Sequence, residues 1–111
     1  MEISRGEVVL AVAAGDYGKP RPAVVVQSNL FNPTHASIVV CPITSFRLDA
    51  PLFRITVPPT SGNGLTVESQ VMIDKMMALR RDRVRDRIGT LSSTEMREVE
   101  QALRLWLGLE R

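Results

Sequence analysis

Hydrophobic residues in the first part of the chain fall into short runs, and glycine, proline or asparagine separates one run from the next. Runs of this length that are rich in valine and isoleucine are typical of β-strands. The pattern predicts strands over residues 7–14, 21–28, 36–45, 53–57 and 65–79. The unbroken apolar run in the second strand indicates burial on both faces. Pro42 in the third strand indicates a bulge or a sheet edge.

The end of the chain has a different period. Ser92 is followed three residues later by Glu95, which is the spacing of a capping box. Apolar residues then recur at helical spacing, at Met96, Val99, Leu103, Trp106 and Leu107. The pattern predicts one amphipathic helix with Trp106 in its core-facing stripe. Short strands followed by one helix indicate a mainly β (α+β) fold, in which a small β-barrel carries a C-terminal α-helix and residues 1–111 form a single domain.

Composition narrows the class of protein. The chain is 44% hydrophobic and 23% charged, which is usual for a globular domain. It contains no apolar run of about 18 residues, so we expect no membrane span. The N-terminal MEISRGE has no apolar signal core, and we expect the protein in the cytoplasm. Cys41 is the only cysteine, which fits a reducing compartment and excludes an internal disulfide.

Charge is concentrated in one segment. The formal net charge is only +2, but residues 80–87 contain five arginines and two aspartates. Such a segment is either a solvated charged face or a patch that faces phosphate groups.

Metal and cofactor chemistry find little support in the sequence. One histidine and one cysteine, without HxxxH or CxxC spacing, do not make a zinc site of the usual kind. The acidic residues are scattered, and neither a GxxxxGK[ST] phosphate loop nor a GxSxG elbow is present. We therefore predict no metal and no cofactor.

Arg21, Thr44 and the adjacent Ser45 remain as candidates for chemistry. Arg21 stands between two prolines at the start of a predicted strand, and Thr44 ends the next one. RNA can be cut without a metal by its own 2′-hydroxyl if the enzyme stabilises negative charge on the phosphoryl oxygens. A guanidinium and a hydroxyl are suitable donors for that purpose. The alternatives are a surface ion pair for Arg21 and an ordinary strand position for Thr44.

Two loop residues also keep two interpretations each. His35 is either an acid–base group or an exposed loop histidine. Tyr17 either stacks on a base or is an ordinary loop aromatic.

Several stretches together resemble the MazF/PemK family of toxins. They are RGEVVLA, GKPRPAVVVQ (18–27), CPITS (41–45), SQVMIDKMMAL and IGTLSSTEMREVEQALRLWLGL. The resemblance implies an SH3-like barrel of the CcdB/PemK/MazF type and a homodimer. It also implies the toxin of a type II toxin–antitoxin system, a metal-independent, sequence-specific endoribonuclease. Such an enzyme cleaves single-stranded RNA to 2′,3′-cyclic phosphate and 5′-hydroxyl ends and binds a cognate acidic antitoxin.

The same resemblance assigns roles to residues. Arg21 matches the catalytic arginine of the RP motif, and Thr44 matches the catalytic threonine of the I-T-S motif. A guanidinium keeps its proton at neutral pH, so Arg21 is a poor base and the identity of the group that deprotonates the 2′-hydroxyl stays open. The positions expected to bind RNA are Lys19, Tyr17, Ser45, Arg47 and Gln27. Two features depart from the family: Lys75-Met76-Met77-Ala78 stands where many members have Gln-Ile-Arg-Thr, and the 15–20 loop is short.

Two rival functions fit the same fold class. CcdB-type toxins act on DNA gyrase through an exposed Trp-Gly near the C-terminus; here Trp106-Leu107-Gly108 is followed by Leu109-Glu110-Arg111. A non-catalytic nucleic-acid-binding barrel would need neither Arg21 nor Thr44. For the dimer, we expect a seam that includes part of the third strand and the C-terminal helix, with adaptable apolar surface from Met72, Met76 and Met77.

Overall fold

The computed structural model describes residues 2–15 and 17–109. Asp16 of the predicted turn, and Glu110 and Arg111 after the helix, lie outside the described residues. The strands are β1 Glu7–Ala11, β2 Arg21–Val25, β3 Ser37–Thr44, β4 Arg54–Val57, β5 Ser69–Met72, β6 Met77–Arg80 and β7 Val84–Thr90, and the helix is α1 Ser93–Leu107.

The first four predicted strands and the helix are confirmed, but the prediction of one strand over 65–79 was wrong. That segment contains β5, a 3-10 turn at Ile73–Lys75, and β6. The two strands pair with different stretches of β3, so the chain must change direction between them. The sequence pattern also failed to reveal β7, because residues 80–87 looked like a charged face rather than a strand.

The strands form one mostly antiparallel sheet in the order β4-β5-β3-β2-β1-β7, with β6 on β3. This confirms the mainly β class with a C-terminal helix. The sheet itself is not closed, because β4 and β7 end the order and do not pair with each other in the described part of the chain.

β3 is the centre of the sheet. One edge pairs with β2, and the other edge pairs first with β6, through residues 37–40, and then with β5, through residues 43–44. Pro42, which has no N–H to donate, falls where the second edge changes partner. The expectation that Pro42 marks a sheet edge was therefore wrong.

Alternating side chains of β2 and β3 enter two hydrophobic clusters on opposite faces of the sheet, as the apolar run of β2 predicted. Val24 and Cys41 belong to the cluster beneath α1, whereas Val25 and Val40 belong to the other cluster. Burial, with a smaller contribution from Asp74, raises the pKa of the Cys41 thiol to about 12. The thiol therefore stays protonated and unreactive at neutral pH.

The helix begins with the predicted capping box. The Ser92 side chain accepts a hydrogen bond from the backbone N–H of Glu95, whose carboxylate accepts one from the N–H of Ser92. Met96, Val99 and Ala102 are buried against the sheet. The burial predicted for Trp106 is corrected: its side chain is 49% exposed and only leans on Phe53, with ring centroids 5.4 Å apart.

The residues just before β1 contact the end of the chain. The guanidinium of Arg5 donates to the Val26 carbonyl at 3.1 Å and to Glu100 of α1 at 3.0 Å. The backbone N–H of Leu91 donates to the carbonyl of Gly6.

No helix in the described ranges is long and apolar enough to cross a membrane.

Candidate active site

Arg21 and Thr44 lie at the same end of the sheet. Arg21 opens β2 and Thr44 closes β3, and the antiparallel register pairs Ala23 with Pro42. That pairing of β2 with β3 ends at Ala23 and Pro42, and Thr44 itself pairs with Gln70 of β5. Arg21 and Thr44 therefore lie at the same end of two neighbouring strands, each two residues beyond the last residue of its strand in that pairing.

Arg21 is held at a rigid position. Its neighbours Pro20 and Pro22 fix their own backbone φ angles, and Arg21 is the register partner of Ala11 in β1. The Arg21 side chain is exposed at the mouth of a small, mainly apolar recess. The recess is lined by Ala11, Ala13, Arg21, Pro22, Ala23, Val40, Pro42, Met77 and Leu79.

Thr44 is half-buried and its hydroxyl is oriented by the chain that follows it. The Oγ1 atom accepts a hydrogen bond from the backbone N–H of Phe46 at 3.1 Å, which is a local turn typical of threonine. The hydroxyl hydrogen of Thr44 is not used in this bond, so the group can still donate to a further acceptor. A phosphoryl oxygen is such an acceptor.

Gln70 is a residue that sequence reasoning missed. It is the register partner of Thr44 and is buried. Its amide Nε2 donates to the carbonyl of Leu48 and its Oε1 accepts from the N–H of the same residue, both at 2.9 Å. One buried side chain thus fixes the loop that follows Thr44. The sequence did not single it out, because Gln70 is one of several polar residues in the predicted strand 65–79 and Ser69 stands directly before it.

The other predicted RNA-binding residues near this end are exposed. Ser45 and Arg47 follow Thr44, and Arg47 forms an ion pair with Glu68. Lys19 and Tyr17 belong to the β1–β2 loop, where Tyr17 is fully exposed and has a φ of 53°. A side chain larger than glycine is uncommon in that left-handed region, so the loop presents the Tyr17 ring outward in a strained conformation.

Gln27 and His35 are not brought to this end. Gln27 lies six residues beyond Arg21, which is roughly 20 Å along an extended strand. Its amide donates to the Ser37 carbonyl and accepts from the N–H of Val39, both at 3.1 Å. The His35 ring accepts from the N–H of Ser37 at the start of β3, far from Thr44.

A metal site finds no support in the described part of the chain. Within residues 2–15 and 17–109, no three histidine, cysteine, aspartate or glutamate side chains are grouped as metal ligands. The Arg54–Asp74 pair is the best-buried ion pair of these ranges, with its two hydrogen bonds at 2.8 and 3.1 Å. This ion pair links Arg54 of β4 to Asp74 of the 3-10 turn.

The whole fold has close counterparts among known proteins. Residues 4–107 match the family model of PemK-like, MazF-like toxins of type II toxin–antitoxin systems. The chain is 42% identical over 106 residues to a probable endoribonuclease MazF of Mycolicibacterium smegmatis, covering 95% of this chain and 96% of that protein.

Solved structures agree with that match. A mycobacterial endoribonuclease in complex with its cognate antitoxin aligns with a TM-score of 0.83 and 25% identity over 98% of both chains. A MazE–MazF structure from Deinococcus radiodurans gives a TM-score of 0.82 at 25% identity, over 99% of this chain and 100% of that one.

Proposed function

Because the chain belongs to the PemK-like, MazF-like family of type II toxins and is a homologue of a MazF endoribonuclease, we propose the following reaction. The protein cuts single-stranded RNA in the cytoplasm, without a metal ion, and leaves a 2′,3′-cyclic phosphate and a 5′-hydroxyl. The observation that supports this proposal is that Arg21 opens β2 and Thr44 closes β3 at the same end of two paired neighbouring strands. A gyrase inhibitor or a non-catalytic barrel has no need of this pair.

The chemistry is an internal transfer. The 2′-hydroxyl gives up its proton to a base as its oxygen forms a bond to phosphorus, the bond from phosphorus to the 5′-oxygen breaks, and the 5′-oxygen takes up a proton, so that protons balance over the step. Negative charge grows on the phosphoryl oxygens during this step. The Arg21 guanidinium supplies planar donors that match a phosphate, and the Thr44 hydroxyl supplies another. Donors held in place before the reaction stabilise the transition state more than the bound substrate.

The residues around the pair bind the substrate. Lys19 and Arg47 attract phosphates, Ser45 donates a hydrogen bond, and the exposed ring of Tyr17 offers a surface on which a base stacks. The proposal leaves Gln27 out, because both ends of its amide already bind β3. Duplex RNA is a poor substrate, since its bases cannot be splayed apart.

The binding partners of this chain are inferred from those of its relatives. We propose that this chain binds a cognate antitoxin with an acidic segment, as expected for a protein whose relative was solved with its cognate antitoxin. We also propose a homodimer. Both edges of β3 are already paired, so the seam uses the exposed apolar end of α1 rather than an edge of the third strand.

The central test is a set of Arg21 and Thr44 variants assayed on single-stranded RNA in excess chelator. Removing one transition-state donor lowers kcat by about 100-fold or more, so we expect Arg21→Ala to abolish growth arrest with an unchanged melting temperature. Arg21→Lys does not rescue activity, because an ammonium lacks the two-donor fork. Thr44→Ala is impaired and Thr44→Ser retains more activity.

Arg97→Ala on α1 is the matched control, since it removes an exposed arginine outside the site. Full toxicity of Arg21→Ala would contradict the proposed site. A strict requirement for added magnesium would contradict the mechanism.

A further inference from the structure

The structure separates the arginines of residues 80–87 into two groups. Arg80 pairs with Asp82, Arg81 donates to the carbonyls of Asn32 and His35, and Arg87 pairs with the buried Glu7. Within residues 2–15 and 17–109, the side chains of Arg83 and Arg85 are exposed and make no ion pair or hydrogen bond. The other three arginines are already bound to groups of the protein. Arg83 and Arg85 are therefore the two whose guanidinium groups are available to bind a ligand.

Arg83 and Arg85 lie at the same end of the sheet as Arg21. The backbone N–H of Val12, at the start of the β1–β2 loop, donates to the carbonyl of Arg83 at 3.0 Å. Val84, which stands between the two arginines, is the register partner of Ala11, and Ala11 is in turn the partner of Arg21. Two strand spacings, about 10 Å, separate the backbone of Val84 from that of Arg21. Arg83 and Arg85 flank Val84 in the chain, and their exposed side chains leave the backbone away from the buried face that Val84 occupies. An RNA strand that reaches them from Arg21 therefore passes around the end of the sheet.

A shallow groove continues from this point towards the β1–β2 loop. It is lined by Leu10, Pro20, Val84, Arg85 and Asp86. Lys19 adjoins Pro20 in the chain, so Lys19 and Arg85 both lie along or beside the groove, and Asp86 is the one carboxylate among the described residues that line it. The positive potential of the site therefore extends past the Arg21–Thr44 pair.

We propose that Lys19, Arg83 and Arg85 form a cationic rim that binds RNA phosphates outside the cleaved bond. This inference rests on the proposed function, because it takes single-stranded RNA as the ligand. The rim holds the RNA backbone without reading bases, since its members are exposed, flexible cations. The carboxylate of Asp86 repels phosphates beside the rim and therefore limits the affinity of the rim for RNA.

The test measures binding apart from cleavage. The probe is a fluorescein-labelled, mixed-sequence single-stranded RNA with 2′-O-methyl groups, which cannot attack its own phosphorus. Anisotropy is followed at several KCl concentrations for the wild type, Arg83→Gln/Arg85→Gln, Asp86→Asn and the control Arg97→Gln/Arg104→Gln. The control removes the same charge from exposed positions on α1.

We expect Arg83→Gln/Arg85→Gln to raise Kd roughly tenfold at about 0.1 M salt and to lower the salt slope by about 0.7 for each phosphate that is no longer neutralised. Asp86→Asn lowers Kd, and the control leaves it unchanged. In cleavage assays, the rim variant raises KM on a long RNA, keeps kcat at saturation, and matches the wild type on an oligonucleotide that ends close to the cut.

The outcomes separate the two proposals. If the wild type cleaves RNA while the rim variant binds and cleaves as well as it does, the rim is refuted and the function stands. Equal losses in the rim variant and the control also refute the rim, because the effect is then one of net charge. If the wild type cleaves no RNA but the binding difference is found, the rim stands and the proposed chemistry fails.

Discussion

At the scale of single residues, the sequence predicted the groups that carry chemistry better than the groups that hold them. Arg21 and Thr44 could be proposed because they stand in short motifs at predicted strand ends. Gln70 could not, because its function depends on which backbone lies beside it. That backbone belongs to Leu48, and only the fold shows that the two residues meet. Gln27 was named from the family resemblance, yet strand direction carries it away from the site.

Gln70 gives a prediction at this scale. Gln70→Leu removes both hydrogen bonds to Leu48, so the loop after Thr44 is no longer fixed and the Thr44 hydroxyl is held less well. We expect kcat to fall by roughly tenfold or more while KM changes little, because misplacement of a donor weakens the stabilisation of the transition state. Steady-state cleavage of a mapped RNA site checks this.

Gln27→Leu is the matched control, since it also removes two hydrogen bonds from a glutamine amide to strand backbone. Both variants should lose about 1–3 kcal/mol of unfolding free energy, but only Gln70→Leu should lose kcat. Equal kcat values for the two variants would show that Gln70 has a structural role alone.

At the scale of elements, the sequence predicted those strands and the helix whose own run of apolar residues indicates the element without reference to the rest of the fold. The helix and the first four strands follow from such patterns. The break between β5 and β6 does not, because residues 65–79 are apolar enough to continue as one strand. The break is fixed by tertiary contacts: the 3-10 turn packs against α1 and is bound through Asp74 to Arg54 of β4. β7 was missed for the opposite reason. It is paired on one side only and carries several exposed arginines, so its sequence lacks the apolar pattern of a strand.

The Arg54–Asp74 pair gives a pH prediction. The hydrogen bonds from Arg54 hold the pKa of the Asp74 carboxyl below its ordinary value of 3.8, although burial alone would raise it. A lowered pKa in the folded state means that the contribution to stability is complete well above pH 3.8 and is lost as pH falls through the folded value. We expect Asp74→Asn to cost about 1–3 kcal/mol at pH 7.

Urea unfolding at pH 7 and at pH 3 measures that difference. The gap between the wild type and Asp74→Asn should shrink at the lower pH, because protonation weakens the same hydrogen bonds. A gap that stays constant across this range would mean that the ion pair does not stabilise the fold. Asp82→Asn is the control, since its pair with Arg80 is exposed and contributes little.

At the scale of the whole molecule, the sequence predicted the class of fold but not the surface that the fold leaves uncovered. The helical period suggested that Trp106 and Leu107 face the core, yet both residues are half-exposed. The last turns of α1 therefore expose a group of large apolar side chains. They are Leu105, Trp106, Leu107 and Leu109, with Leu52 shortly before β4, the strand that the helix covers. Contiguous apolar surface of this kind marks an interaction site.

This surface gives the prediction for assembly. Light scattering on the purified protein should return twice the chain mass of 12.3 kDa. Leu105→Glu should shift the mass towards the monomer, because a carboxylate buried in an apolar seam loses its hydration. Leu30→Glu is the control, as Leu30 is an exposed leucine in a loop. A monomeric wild type that still cleaves RNA would refute the seam.

The pairing of β1 with β7 has a consequence for how each molecule is synthesised. Arg21 and Thr44 emerge early, but β1 gains its second neighbour only when β7 exists, and Arg5 meets Glu100 only when the helix exists. Ribosomes add about 5–20 residues per second, so the nascent chain carries the two side chains proposed for catalysis for seconds before the sheet is complete. We therefore expect a molecule still tethered to its ribosome to be harmless to the very message that encodes it.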